Sequence, residues 1–253
     1  RLNHYFRETK KLSYYKKTRN GLLGADYSSK FSAWLAHGCL SPRYIYHEVK
    51  RYEEEIAANE STYWLVFELM WRDFFHFTGR KHGNDIFNPL GIKEEVHVRG
   101  KRDVNLFEKW RTGETGIPFV DANMKELLLT GFMSNRGRQN VASFLVKDLG
   151  LDWRLGAGWF EHALIDYDVF SNYGNWNYVA GVGTDPRQDR WFNVIWQSKK
   201  YDAIGKYSKH WLPELQGLSP KEIHQPYLLP PERGVLLELP EKYLHPVFVH
   251  KRW

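Results

Sequence analysis

Glu68, Trp71, Arg72 and Phe75, within the segment STYWLVFELMWRDFFHF, recur at i, i+3, i+4 and i+7, so a helix places them on one face. The segment is apolar nearly all round, which predicts burial. A carboxylate and a guanidinium on a buried helix must pair with something or face a cavity. Such a face suits a ligand site; an internal ion pair without a ligand satisfies the same residues. Two other pairs are electrostatically out of place. Arg136 and Arg138 fall in the first turn of a helix expected in SNRGRQNVASFLVKDLG, where the dipole favours anions. Asp166 and Asp168 fall near the end of a helix expected in GWFEHALIDYDVFSNYG, where carboxylates are unfavourable. Pairing between these arginines and aspartates resolves both conflicts.

The elements that must position these residues read mostly as helix. Asn59-Glu60-Ser61-Thr62 forms a polar cap cluster ahead of the Glu68 segment. In VDANMKELLLTG, Asp121 is the expected N-cap and Gly131 the expected C′ residue. Ser134 caps the next segment, whose apolar Val141, Phe144, Leu145 and Leu149 share a face, and Gly150 stops it. No strand alternation is strong enough to build a sheet, so the fold class is all-α. Helical character fades beyond Pro213, and the proline-rich C-terminus is expected to wrap the surface as an extended tail. The expected organisation is a helical domain over residues 1–225 with a tail over residues 226–253 packed on it.

Composition narrows the function classes. The chain has 253 residues, one cysteine and no apolar run approaching a bilayer span, so it reads as a soluble, intracellular protein without a disulfide. A net charge of +6 permits a polyanion partner, although charge alone favours a basic surface that binds nothing. Eleven tryptophans suit packing, stacking on a planar ligand, or electron transfer between rings. The sequence contains no GxGxxG, P-loop, HExxH or CxxC pattern, and its 11 histidines are scattered, so no metal site is expected.

Long stretches of the sequence resemble the flavin domain of the photolyase/cryptochrome family. They are TRNGLLGADYSSKFSAWLAHGCLSPR, STYWLVFELMWRDFF, TGIPFVDANMKELLLTGFMSNRGRQNVASFLVKDLGLDWR and SNYGNWNYVAGVGTDPR. FVDANM, FMSNRGRQN and SNYGNWNY are similar to the DASH cryptochrome branch; SNYGNWNY ends on Tyr178, where typical dimer photolyases carry tryptophan. The resemblance implies an all-helical domain holding a U-shaped FAD non-covalently. It implies blue-light repair of cyclobutane pyrimidine dimers by electron transfer from reduced FAD. The implied partner is single-stranded or locally open DNA, with RNA as a second candidate. The alternative is a photoreceptor or redox signalling module without repair.

Residue by residue, the resemblance places Tyr15, Ser28, Ser29 and Ser32 at the FAD pyrophosphate. Hydroxyls and backbone N–H groups suit that anion, although a serine-rich turn is also a common helix cap. It sets Arg138, Asp166 and Asp168 against the isoalloxazine, with Asn172 facing flavin N5. Glu68, Trp71, Asn135, Arg136 and Gln139 match lesion-contact positions. Trp71 can stack on an extruded pyrimidine pair, Glu68 can accept from ring N–H groups, and Arg136 can hold a phosphate. Trp176 and Trp153 match the proximal and middle members of a three-tryptophan electron chain, and core packing alone also accounts for them.

The sequence departs from the family in two respects. The family's N-terminal α/β domain has no counterpart here, so no antenna chromophore is expected and a protein partner is expected on the face that domain covers. The distal tryptophan position falls on Gly100, so photoreduction is expected to be slow or rerouted, and faster in Gly100→Trp.

Overall fold

The computed structural model describes residues 1–93, 100–187 and 190–253. Its longer helices are α1 (Pro42–Glu55), α2 (Glu60–His82), α3 (Val104–Thr112), α4 (Pro118–Thr130), α5 (Asn135–Ser143), α6 (Trp153–Ala163), α7 (Val169–Ala180) and α8 (Val194–Tyr201). Among the described residues there is no strand, only one isolated parallel bridge between Lys101 and Leu151. None of the described helices is long and apolar enough to cross a membrane.

Local chemistry accounts for most boundaries. Asn59 Oδ1 accepts from the N–H groups of Ser61 and Thr62 at 2.8 and 3.3 Å, and Thr62 Oγ1 accepts from Asn59 N–H at 3.2 Å. This reciprocal cap starts α2. Ser134 caps α5 by accepting from Gly137 N–H. The chain runs on through a π-turn at Phe144–Asp148 before Gly150, at φ 64°, turns away. Gly131 ends α4 at φ 68°.

Three expectations need correction. Asp121 is not the N-cap of α4, because Pro118 takes the first helical position and Ile117 becomes the cap. The Asp121 carboxylate instead accepts from Thr115 N–H, Thr115 Oγ1 and Gly116 N–H, tying down the incoming loop. The segment expected as one helix around Asp166 is two. Helix α6 ends at Ala163, and Asp168 caps α7 by accepting from Ser171 N–H at 2.8 Å. That carboxylate therefore sits at a helix N-terminus, where the dipole favours it. Finally, α2 is not buried all round. Leu65, Leu69, Phe75 and Gly79 face inward, while Tyr63, Met70, Phe74 and Phe77 are exposed on the outer face.

Helices α2 and α7 approach closely through two reciprocal glycine–phenylalanine contacts. A Cβ on Gly79 would lie 2.2 Å from the Phe170 ring, and one on Gly174 would lie 2.3 Å from the Phe75 ring. Helix α7 also packs on α6, where a Cβ on Gly156 would lie 2.2 Å from Trp176. Around these helices the largest core gathers Trp110, Val141, Phe144, Leu145, Phe160 and Trp176. A second core (Tyr5, Phe6, Ile45, Tyr52) anchors the N-terminal segment.

The C-terminal region differs from the extended tail expected. It forms short helical turns at Pro226–Leu228, Pro231–Leu236 and Glu241–Leu244, each led by proline at its cap or first position. Proline fixes φ near the helical value and needs no N–H partner at a helix start. Leu239 and Tyr243 pack into a third core with Phe119, Tyr207 and Leu215.

Candidate functional site

A cavity of ≈ 280 Å³ opens between the Ser28–Ser32 turn, the start of α5 and helices α6 and α7. All eight residues expected at the cofactor line it: Tyr15, Ser28, Ser29, Ser32, Arg138, Asp166, Asp168 and Asn172. The carbonyls of Ser28 and Ser29 accept from the Arg1 guanidinium at 2.9 Å. The N–H groups of Ser28 and Ser29 donate to no acceptor among the described residues. With the serine hydroxyls and Lys30 beside them, that turn is a donor-rich wall suited to an anion.

The opposite wall is polar in a fixed pattern. Arg138 Nη2 donates to both oxygens of Asp166 at 3.0 and 2.8 Å, and its Nε donates to the Met133 carbonyl at 2.9 Å. The Asp166 side chain is only 1% exposed, while that of Arg138 is 26% exposed. Asn172 is buried, and its amide nitrogen donates to the Ala157 carbonyl at 3.0 Å. Its carbonyl oxygen is the atom left to offer the cavity. Burial alone would raise the Asp168 carboxyl, but the Ser171 N–H and hydroxyl, with His76 and Arg72, outweigh it and hold the group below its usual range. Phe160, Leu164, Ala142, Val179 and Trp176 supply the apolar surface.

A second pocket of ≈ 340 Å³ adjoins the first and shares Asn135, Gln139, Ser171 and Asn175 with it. Glu68, Trp71, Arg72 and Phe75 form its α2 wall, as their spacing required. Trp71 meets Phe74 edge-on, with ring centroids 5.3 Å apart. Arg19 Nη1 lies 2.6 Å from Glu68 Oε1. Burial raises the Glu68 carboxyl above its usual range against the pull of Arg19. Across the pocket, Arg190 Nη2 donates to the Tyr178 hydroxyl at 2.8 Å, and its guanidinium lies 4.8 Å from the Tyr178 ring centroid.

The pairing expected between arginines and aspartates forms only in part. Arg138 takes Asp166, but Asp168 faces Arg72 at 3.9 Å and His76 at 3.3 Å. Among the described residues Arg136 pairs with no aspartate, and it lines neither pocket. It stacks 4.6 Å from the Tyr201 ring centroid and donates to Gln139 Oε1 and Asn20 Oδ1 at 2.9 and 3.1 Å. The aromatic face of Tyr201 on α8 takes up its guanidinium instead. Sequence reasoning missed Arg19, Lys30, Asn175 and Arg190, which lie outside any periodic pattern.

Trp176 is 2% exposed in the cavity wall, and Trp153, 5% exposed, stands outside the cavity and donates from its indole N–H to the Pro89 carbonyl at 3.1 Å. Gly100 abuts the loop before α6: a Cβ there would lie 2.5 Å from the Leu151 carbonyl oxygen and from Asp152 N. The Lys101–Leu151 bridge brings the two backbones this close, so a tryptophan at position 100 has no room in this backbone arrangement.

A sequence model described as "FAD binding domain of DNA photolyase" matches residues 64–253. Cryptochrome DASH of Danio rerio is 59% identical over 229 residues, covering 90% of this chain and 44% of that protein. Cryptochrome DASH of Xenopus laevis is 55% identical over 255 residues, covering 100% of this chain and 49% of that protein. The crystal structure of a Synechocystis cryptochrome superposes with a TM-score of 0.92 at 59% identity, covering 94% of this chain and 49% of that one. A class III photolyase from Agrobacterium tumefaciens gives 0.86 at 33% identity, covering 99% and 52%. The chain thus spans about half the length of the relatives it matches.

Proposed function

The chain belongs to the photolyase/cryptochrome family through its FAD-binding domain, and on that premise we propose that it repairs cyclobutane pyrimidine dimers in single-stranded or locally open DNA under blue light. The observation that carries this reading is the wall shared by the two pockets. Asn135, Gln139, Ser171 and Asn175 line both, so a planar cofactor in one and an extruded pyrimidine dimer in the other would be close neighbours.

The first cavity fits FAD by the chemistry of its donors. Ser28, Ser29, Ser32 and Tyr15 bind the pyrophosphate side non-covalently, and Lys30 adds positive charge. Arg138, fixed by Asp166, favours negative charge at the ring-binding end. Asn172 offers its carbonyl oxygen to an N–H donor. When bound, FAD supplies light absorption and one-electron transfer. In the second pocket Trp71 stacks on the lesion, and Glu68, paired with Arg19, accepts from pyrimidine N–H groups. Gln139 and Asn135 orient the lesion from the shared wall, and Arg136 acts on it only by holding Gln139.

The test is illumination of the flavin-loaded protein with a dimer-containing oligothymidylate and an external reductant. Recovery of thymine absorbance is the expected result. Bound flavin without recovery moves the assignment to the second reading, a blue-light photoreceptor or redox module acting through a protein partner. Gly100, and the exposed Tyr63, Met70, Phe74 and Phe77 on α2, favour that second reading.

A further inference from the structure

The electron chain that reduces a flavin in this cavity needs an end that faces solvent and can release a proton. An oxidised indole or phenol persists only if its acidic proton finds a base. Trp153 has one aromatic neighbour among the described residues, Tyr173, whose ring stands edge-on to it with centroids 6.2 Å apart. Tyr173 lies on α7 one turn before Trp176, the other tryptophan of the sequence pattern. Its hydroxyl donates to Glu161 Oε2 at 2.9 Å, and Glu161, on α6, is exposed to solvent. Burial and that carboxylate raise the Tyr173 hydroxyl to about 12, so the phenol carries its proton at neutral pH.

The rings in contact with Trp176, Trp110 and Phe160, lead nowhere comparable. Trp110 meets it at 6.3 Å but is 0% exposed, and its indole N–H donates to the Val141 carbonyl, which is not a base. Beyond Trp110 the rings are phenylalanines, Phe107 and Phe160.

We propose that Tyr173, with Glu161 as proton acceptor, is the terminal electron donor of this chain, in place of a tryptophan at position 100. One electron passes from Tyr173 to oxidised Trp153. The phenolic O–H bond breaks, and its proton moves along the existing hydrogen bond to the Glu161 carboxylate. Photoexcited oxidised flavin is the ultimate oxidant, and an external thiol returns the electron and proton to the tyrosyl radical. The proposal rests on the FAD reading above.

Laser-flash absorption and steady photoreduction of the flavin-loaded protein, with dithiothreitol as donor, test it. The wild type should show a tyrosyl radical, and Tyr173→Phe should lose that signal while keeping its flavin content and helical circular dichroism. Glu161→Gln, which keeps the ring but removes the base, should slow photoreduction by about 100-fold, the low end for loss of a positioned proton acceptor. Tyr167→Phe should retain the tyrosyl signal. If the wild type photoreduces and Tyr173→Phe matches it in rate and signal, the proposal is overturned and the FAD reading stands. If the wild type binds no flavin, or binds it without photoreduction, the FAD reading fails and takes the proposal with it.

Discussion

The Arg19 guanidinium grips the Glu68 carboxylate at 2.6 Å in the wall of the second pocket. Burial pushes Glu68 toward its neutral form, and Arg19 opposes that push. In Arg19→Gln the carboxyl should rise further, so the loss of dimer binding on acidification should set in at a higher pH than in the wild type. Glu68→Ala should weaken binding by about tenfold or more at every pH, the worth of a hydrogen bond to a charged group. A pH titration of oligonucleotide affinity separates the two variants.

Close approach of α2 and α7 depends on two missing side chains. Gly174→Ala drives a methyl group into the Phe75 ring, and Gly79→Ala drives one into Phe170. Each should destabilise the fold by about 1–3 kcal/mol, as overpacked cores do. Urea unfolding measures the loss. The Phe75 contact should also disturb the pocket wall, so Gly174→Ala should lose lesion affinity as well.

Gly100→Trp, which the family pattern suggests as a restoration, meets backbone rather than space. The expected result is a loss of about 1–3 kcal/mol in stability, with no gain in photoreduction rate. Thermal unfolding and photoreduction of the same preparation decide it.

Asp148 supplies a pH dependence of stability. Its Oδ1 accepts from the Trp191 indole N–H at 2.9 Å, but Oδ2 is buried without a hydrogen-bond partner among the described residues. Burial raises the carboxyl from 3.8 to about 7, only partly offset by Trp191. The folded state therefore holds this proton more tightly than the unfolded chain. Its contribution is fully present below the unfolded value and is lost as pH rises to about 7, a change of at most about 4 kcal/mol. Asp148→Asn should remove that slope and be the more stable protein at pH 8. Denaturation midpoints across pH 4–8 provide the check.

Much of this molecule could be read from its residues in order. The caps at Asn59 and Ser134 and the stop at Gly131 are short-range hydrogen-bonding and backbone effects, so the sequence alone located them. The 3.6-residue period put Glu68, Trp71, Arg72 and Phe75 on one face, and long motifs carried the family. Errors came where a neighbour in space competed with a local rule. Pro118 displaced Asp121 from the cap, Tyr201 drew Arg136 away from any aspartate, and Asp168 opened a helix it was expected to close. Only the tertiary structure decided that Arg19 holds Glu68, that two pockets share a wall, that Gly100 has no room for a ring, and that Tyr173 joins Trp153 to a solvent-facing carboxylate. Those relations join segments far apart in the chain, and no periodicity encodes which distant surfaces meet when helices pack.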